Sequence, residues 1–194
     1  MQDFWFYILL GFDHVMDASA YDHVLFLSAL ALPFSFKSWK KVVLLATVFT
    51  IAHCLSLTFS AYGIIRVAVG WIEFLIPVTI LMTAIFDLVY SKMPAKEMGM
   101  YVHLPATAFF GLIHGFGFSN YFNMMMSGVD EKLLPLLGFA FGIEFSQCVV
   151  ILIILCLAYL TQVVFQLNRR YFIVIGATIV ALTTIPMLIA TFPS

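Results

Sequence analysis

Apolar segments, most of them long enough to cross a lipid bilayer, follow one another along almost the whole chain. Of the 194 residues, 63% are hydrophobic and 10% are charged, whereas a soluble domain carries about 25% charged residues. This composition lacks the polar surface that a soluble enzyme needs. The 9 basic and 10 acidic residues nearly cancel, so the chain has no positive field for nucleic acid. We therefore expect an integral membrane protein whose surroundings are the lipid bilayer.

Charged residues, prolines and glycines divide the chain into seven segments. They fall at about 4–16, 22–36, 41–60, 67–90, 101–121, 133–165 and 171–191. We expect an all-α membrane helical bundle of six full spans. The short first segment is either a partial, tilted or re-entrant helix or a seventh span. No linker is long enough to separate two domains, so residues 1–194 are expected to form a single transmembrane domain.

The distribution of lysine and arginine between the loops predicts the orientation of the bundle. Only Arg66 and Lys132 fall in loops on one side, which we call the outer end. The other side, which we call the basic end, has seven basic residues: Lys37, Lys40, Lys41, Lys92, Lys96, Arg169 and Arg170. The positive-inside rule places the basic end in the cytoplasm. The C-terminus and the loop before Asp22 are then expected to face outward.

Polar side chains within the apolar segments fall at similar predicted depths. Helical positions counted at 1.5 Å per residue agree within several Å in the outer half of the membrane. The candidate site residues are His14, Asp17, Asp22, His23, His53, Glu73, His114, Glu144 and Gln147. A charge near the bilayer centre costs at least about 2.5–3.5 kcal/mol on insertion scales. One shared polar site explains these residues better than several separate ones.

Histidine and carboxylate without paired cysteines form a ligand set for divalent transition metals such as Ni, Zn, Fe or Mn. Proton relays use the same side chains, so protons are the competing occupant. Two pairs of glycines have the GxxxG spacing that lets helices approach closely: Gly111 with Gly115, and Gly138 with Gly142. They predict close packing around His114 and before Glu144.

Several polar residues also have a structural interpretation. Asp22 is a suitable N-cap for the second segment, and histidines or Gln147 can hydrogen bond a neighbouring helix. Asp87 and His103 lie at the predicted inner ends of their segments. We expect both to be interfacial, with Asp87 pairing with a lysine.

Five sequence blocks resemble successive motifs of the HupE/UreJ family of small bacterial multi-spanning proteins. In order, they are HVMDASAYDHVLFLSALAL, FTIAHCLSLT, IEFLIPVTI, FGLIHGFGFS and FGIEFSQ. The resemblance implies a nickel or cobalt permease of the bacterial cytoplasmic membrane, serving hydrogenase or urease maturation. It places eight residues on the family's polar positions: His14, Asp22, His23, His53, Glu73, His114, Glu144 and Gln147. The compact His-Pro-x-x-Gly-x-Asp-His block is missing, which indicates a divergent branch.

The leading hypothesis is a permease for a divalent metal, Ni²⁺ first and Zn²⁺ or Co²⁺ as alternatives. Four residues would form the shell that the ion meets first: His14, Asp17, Asp22 and His23. Four would bind the dehydrated ion: His53, Glu73, His114 and Glu144. Gln147 would orient a ligand.

Two further hypotheses follow from the scarcity of polar groups in the inner half of the spans. The first is an intramembrane metalloenzyme of the zinc hydrolase type acting on a lipid or membrane substrate, with Glu73 or Glu144 as general base. The second is a structural or assembly subunit. The sequence leaves open the metal, the direction and energy source of transport, and the oligomeric state, including a homo-oligomer through the GxxxG faces.

Overall fold

The computed structural model describes residues 4–92, 100–129 and 131–193, and these ranges are helical without any β-strand. The α-helices are α1 Phe4–Met16, α2 Asp22–Ala31, α3 Trp39–Ala61, α4 Val69–Tyr90, α5 Met100–Met125, α6 Leu133–Tyr159 and α7 Arg169–Ala190. A 3-10 turn, Phe36–Ser38, precedes α3, and a π-helical segment, Leu160–Val164, extends α6. Each predicted segment corresponds to one helix, so the all-α prediction is confirmed. Lys96 lies outside the described residues.

Four helices are long and apolar enough to cross a membrane: Phe36–Ala61, Val69–Tyr90, Leu133–Val164 and Arg169–Ala190. Helix α5 has 26 residues, but two histidines and three glycines lower its hydropathy. Helix α2 has 10 residues, which at 1.5 Å per residue is about 15 Å. The prediction of six full spans is therefore supported for four helices and is not confirmed for the other two.

Large apolar side chains cover the outward faces of the long helices. Examples that are half or more exposed are Trp71, Met82, Leu152, Ile153, Ile175, Ile179, Leu182 and Ile189. A monomeric soluble protein rarely exposes so much contiguous apolar surface. The bilayer is the environment that suits these faces, and the protein is a multi-pass membrane protein.

Close helix pairs bring the polar segments of the chain together. Helix α5 packs along α3, α1 along α6, and α4 along α7, while α2 contacts α4, α6 and α7. A Cβ atom at Gly115 would collide with the carbonyl oxygen of His53 and with Ser56 Oγ. A Cβ atom at Gly142 would collide with the carbonyl oxygen of Ile8. The GxxxG prediction of close contacts is confirmed, with α3 and α1 as the partner helices.

Hydrogen bonds and ring contacts group the helix ends as the predicted orientation requires. At the basic end, the Arg169 guanidinium donates to the carbonyl of Pro33 at 2.8 Å, and the rings of Phe36 and Tyr159 lie 6.2 Å apart. At the outer end, Lys132 Nζ donates to the carbonyl of Ala61 at 2.7 Å. The side of the membrane on which each end lies remains a prediction.

Candidate metal-binding site

Three helices bring three histidines to one point. His14 at the end of α1, His23 at the start of α2 and His53 in α3 each offer a ring nitrogen, and these nitrogens lie within 4.8 Å of one another. The ring centroids are 4.6 Å apart for His14 and His23, and 5.7 Å apart for His23 and His53. His114 of α5 adds a fourth ring, 5.2 Å from that of His23. We call these four residues the histidine cluster.

Five ring nitrogens of the cluster are buried without hydrogen-bond partners among the described residues. This holds for Nε2 of His14, His23 and His114 and for both nitrogens of His53. Buried polar atoms in proteins are hydrogen bonded in the large majority of cases. A group of unpaired nitrogens at one point therefore indicates a ligand that binds several imidazoles at once.

Hydroxyl groups in α3, unlike these imidazole nitrogens, have hydrogen-bond partners. Ser56 donates to the carbonyl of His53 at 2.8 Å, and Thr58 donates to that of Cys54 at 2.7 Å. Such bonds to the preceding turn satisfy a hydroxyl within its own helix. These serine and threonine hydroxyls are thus paired within their own helices, whereas the five imidazole nitrogens have no partner in the described part of the chain.

Two hydrogen bonds fix the tautomers of His23 and His114. His23 Nδ1 lies 3.2 Å from Asp22 Oδ1, and His114 Nδ1 lies 2.9 Å from the carbonyl oxygen of Phe110. Because a carbonyl or an ionised carboxylate can only accept, the proton resides on each Nδ1. Nε2 then keeps its lone pair for a metal, as in metal sites where a second group orients the ligating histidine.

Aromatic rings enclose the cluster. The ring of Phe49 lies 5.2 Å from that of His114 and 5.9 Å from that of His53. The ring of Phe118 lies 3.9 Å from that of His14 and stacks on Phe139 at 5.1 Å. These contacts hold the imidazoles in place and exclude water from part of the site, which strengthens electrostatic interactions there.

A cavity of about 740 Å³ leads to the cluster, lined by His14, His23 and His114. Four carboxylates also line this cavity, which we call the vestibule: Asp13, Asp17, Asp22 and Glu73. Asp13, Asp17 and Glu73 are exposed, whereas His23 and His114 are buried. The carboxylates of the vestibule can attract a cation, and the histidines at its end can then bind that cation through nitrogen atoms.

The sequence of the chain matches a known protein family. Residues 1–190 match the family model described as HupE / UreJ protein. The chain belongs to the HupE/UreJ family. The searches of curated proteins and of solved structures find no match. Membership implies a role related to nickel or cobalt transport at a membrane, and the family motifs that carry histidines are the ones that meet in the cluster.

The structure brings together seven of the residues predicted for the site of this HupE/UreJ protein. His14, His23, His53 and His114 form the cluster, and Asp17, Asp22 and Glu73 line the vestibule. The predicted N-cap role of Asp22 is wrong, because Asp22 is the first residue of α2 and Tyr21 is its N-cap. Asp22 Oδ1 instead accepts from the backbone N–H of His23 at 2.9 Å, and its role toward an ion stays a prediction. Sequence reasoning did not include Asp13 in the site. The signal for it was its position in the first segment, next to His14 and four residues before Asp17.

Glu144 and Gln147 have other neighbours. Glu144 accepts hydrogen bonds from the hydroxyls of Thr47 at 2.6 Å and Thr50 at 2.7 Å. The Thr50 hydroxyl also lies 3.1 Å from Gln147 Oε1. Neither residue lines the vestibule, although Thr50 lies one helical turn from His53. The assignment of Glu144 and Gln147 as metal ligands in this HupE/UreJ protein stays a prediction.

Asp22→Asn tests the orientation of His23 in this HupE/UreJ site. The amide keeps the size of the side chain and an oxygen for the backbone N–H, but it removes the negative charge beside Nδ1. We expect metal affinity to fall about 10–100-fold, the range for such outer groups. Calorimetric titration of the purified protein with Ni²⁺ measures the change. An unchanged dissociation constant would show that Asp22 does not act on the bound ion through His23.

Proposed function

We propose that this protein is a permease for a divalent transition metal, with nickel as the first candidate and cobalt or zinc as alternatives. The observation that carries the proposal is the convergence of unpaired imidazole nitrogens from α1, α2 and α3 within 4.8 Å. His14, His23 and His53 would bind the ion, and His114 would complete the set as a fourth nitrogen ligand. Three or four imidazoles suit Ni²⁺, Co²⁺ and Zn²⁺.

The vestibule would gather the ion before the histidines bind it. Asp17 lies between α1 and α2, and Ser19 donates to its carboxylate from both its hydroxyl and its backbone N–H. These two hydrogen bonds lower the pKa of Asp17, so this carboxylate keeps its charge at neutral and mildly acidic pH. Carboxylates in a cleft raise the local concentration of cations and the rate of their association.

Glu73→Gln tests this role of the vestibule. Removing one of its four carboxylates is expected to slow initial uptake by about threefold at low ionic strength, with little effect on affinity at the histidines. The difference should shrink as salt screens the carboxylates. Initial rates of ⁶³Ni²⁺ uptake at several salt concentrations measure it. Glu131→Gln is the matched control, because Glu131 is exposed and does not line the vestibule. Equal rates for both variants would contradict steering by Glu73.

Beyond the cluster, aromatic side chains close the path toward the basic end. Phe26 and Phe49 are fully buried and stack at 4.9 Å, and Phe26 lies 5.9 Å from Phe110. A hydrated cation cannot pass between packed rings without their moving. This closure supports alternating access, with the described conformation open toward the vestibule, over an open channel.

Transport itself is tested with the purified protein in liposomes. Proteoliposomes that contain the wild-type chain should accumulate ⁶³Ni²⁺ above empty liposomes under an applied ion gradient or membrane potential. Replacing His23 with alanine should remove that excess. Absence of flux for Ni²⁺, Co²⁺ and Zn²⁺ in protein that binds the metal tightly would refute the permease.

A metalloenzyme is the second candidate function, and one observation favours it. A three-histidine group with an open fourth position is the ligand arrangement of catalytic zinc, and Glu73 lines the same cavity as two of the three histidines. An ion held there could activate a water molecule, with Glu73 as general base. Zinc-dependent hydrolysis of membrane lipids by the purified protein, lost in Glu73→Gln, would support this function over transport.

A further inference from the structure

A smaller, mostly apolar cavity that contains a few polar side chains lies on the far side of the aromatic closure. Its volume is about 140 Å³. Phe26 and Phe110 form the wall that it shares with the histidine cluster, because Phe26 lies 5.5 Å from the His114 ring and the Phe110 carbonyl contacts His114 Nδ1. The polar residues that line it are Thr83, Asp87, His103 and Thr107. This inner cavity lies toward the basic end, since Pro33 also lines it and contacts Arg169.

Asp87 is the most unusual residue of the inner cavity. Its side chain is 2% exposed, and Oδ2 has no hydrogen-bond partner in the ranges that the structure describes. Asp87 was predicted to be interfacial and paired with a lysine, but the structure buries its side chain near Arg169, and no lysine pairs with it among the described residues. A buried carboxylate needs a hydrogen bond, a cation or a proton as a partner.

His103 supplies a second free ligand atom to the same cavity. Its Nε2 is buried and has no partner among the described residues. The rings of Phe86 and Phe34 lie 5.2 Å and 6.3 Å from the imidazole, and Phe86 lines the cavity beside it. An imidazole and a carboxylate in one cavity repeat, on a smaller scale, the chemistry of the outer site.

Arg169 weakens the inner site without filling it. The arginine lies near enough to Asp87 to interact electrostatically, but no ion pair joins them within 4.0 Å in the described part of the chain. Its guanidinium instead donates to the Pro33 carbonyl at 2.8 Å. A positive group beside the carboxylate lowers its affinity for a metal ion. Ion conduction needs such weak binding at the point of release.

We propose that Asp87 and His103 form an inner binding site for a divalent transition metal, which receives the ion after the histidine cluster has released it. The order of the two sites rests on the proposed permease function, whereas binding at the inner site does not. Rearrangement of Phe26 and Phe110 would connect the two cavities. Arg169 then competes with the ion for Asp87 and promotes its release toward the basic end.

Calorimetric titration of the purified full chain with Ni²⁺ tests the inner site. We expect two classes of binding, one tight and one weak. Asp87→Asn, which preserves the shape of the side chain, and His103→Gln should each remove the weak class and leave the tight class. His53→Ala should do the reverse. Arg169→Gln, which can still donate to the Pro33 carbonyl, should tighten the weak class severalfold, an effect that a purely structural role for Arg169 would not produce.

The outcomes separate the inner site from the permease function. The inner site is refuted if the wild-type chain shows only the class that His53→Ala removes, or if Asp87→Asn and His103→Gln retain both classes. If two classes are present and Asp87→Asn removes the weak one, but proteoliposomes show no flux, the inner site stands and the permease fails. If flux is present and Asp87→Asn changes neither flux nor binding, the permease stands and the inner site fails.

Discussion

Replacing His53 with alanine is expected to abolish tight metal binding and metal uptake together. His53 is fully buried, and neither of its ring nitrogens has a partner among the described residues. The centroid of its ring lies 5.6 Å from that of the His14 ring and 5.7 Å from that of the His23 ring. Loss of a group that merely orients a ligand lowers metal affinity about 10–100-fold. Removing the ligand itself should lower it by more than about 100-fold.

The measurement is Ni²⁺ titration of the purified variant, combined with ⁶³Ni²⁺ uptake by cells that express it. Cys54→Ser is the matched control, because it is a change of one atom at the next position of α3, and Cys54 does not line the vestibule. Circular dichroism and thermal melting establish that both variants are folded. His53→Asn keeps a polar side chain in the buried space if the alanine variant is unstable. Wild-type affinity in a folded His53 variant would remove this residue from the site.

Gly115→Ala is expected to have the largest effect on the structure around the cluster. The new Cβ atom would collide with the His53 carbonyl and with Ser56 Oγ, and a backbone carbonyl cannot move aside as a flexible side chain does. Helix α5 must then shift away from α3, and it carries His114 with it. Overpacking of this kind destabilises a protein by about 1–3 kcal/mol. We therefore expect a lower melting temperature and weaker metal binding.

Gly70→Ala is the matched control for this prediction. A Cβ atom at Gly70 meets nothing within 4 Å, and alanine favours the helical conformation over glycine by about 1 kcal/mol. The control should leave the melting temperature unchanged or raise it, while Gly115→Ala lowers it. Thermal melting in detergent, with and without Ni²⁺, measures both variants. A Gly115→Ala protein as stable as the wild type, with full Ni²⁺ affinity, would contradict the close approach of α3 and α5.

The helices and most residues of the candidate site could be predicted because the segments of a membrane protein are almost entirely apolar. In an apolar segment, each histidine or carboxylate stands out, and its distance from the segment end gives its depth. This distance places His23, His53 and His114 at one depth. In the structure, the rings of His53 and His114 lie 5.7 Å and 5.2 Å from that of His23. Gly115 is similarly informative, since a small residue beside a polar one marks a close contact between helices.

The depth of a residue does not show which neighbouring helix its side chain contacts. The contacts of Glu144 and Asp87 could therefore not be predicted from the sequence. Glu144 has a depth similar to that of His53, but α6 directs its carboxylate to the hydroxyls of Thr47 and Thr50 on α3. Asp87 was predicted to be interfacial from its position near the end of α4. The packing of α4 against α2, α5 and α7 buries it instead. Such pairings depend on the order of the helices in the bundle, which hydropathy does not contain.

The central claim is that the histidine cluster binds a divalent transition metal, and elemental analysis tests it most directly. Protein purified without chelators from cells supplied with nickel should contain bound metal. Anomalous scattering from its crystals should then place the ion between His14, His23 and His53. The variant His23→Ala, purified in parallel, should lack that ion. Metal-free wild-type protein, or an anomalous peak that survives in His23→Ala, would contradict the assignment of this cluster as the metal site.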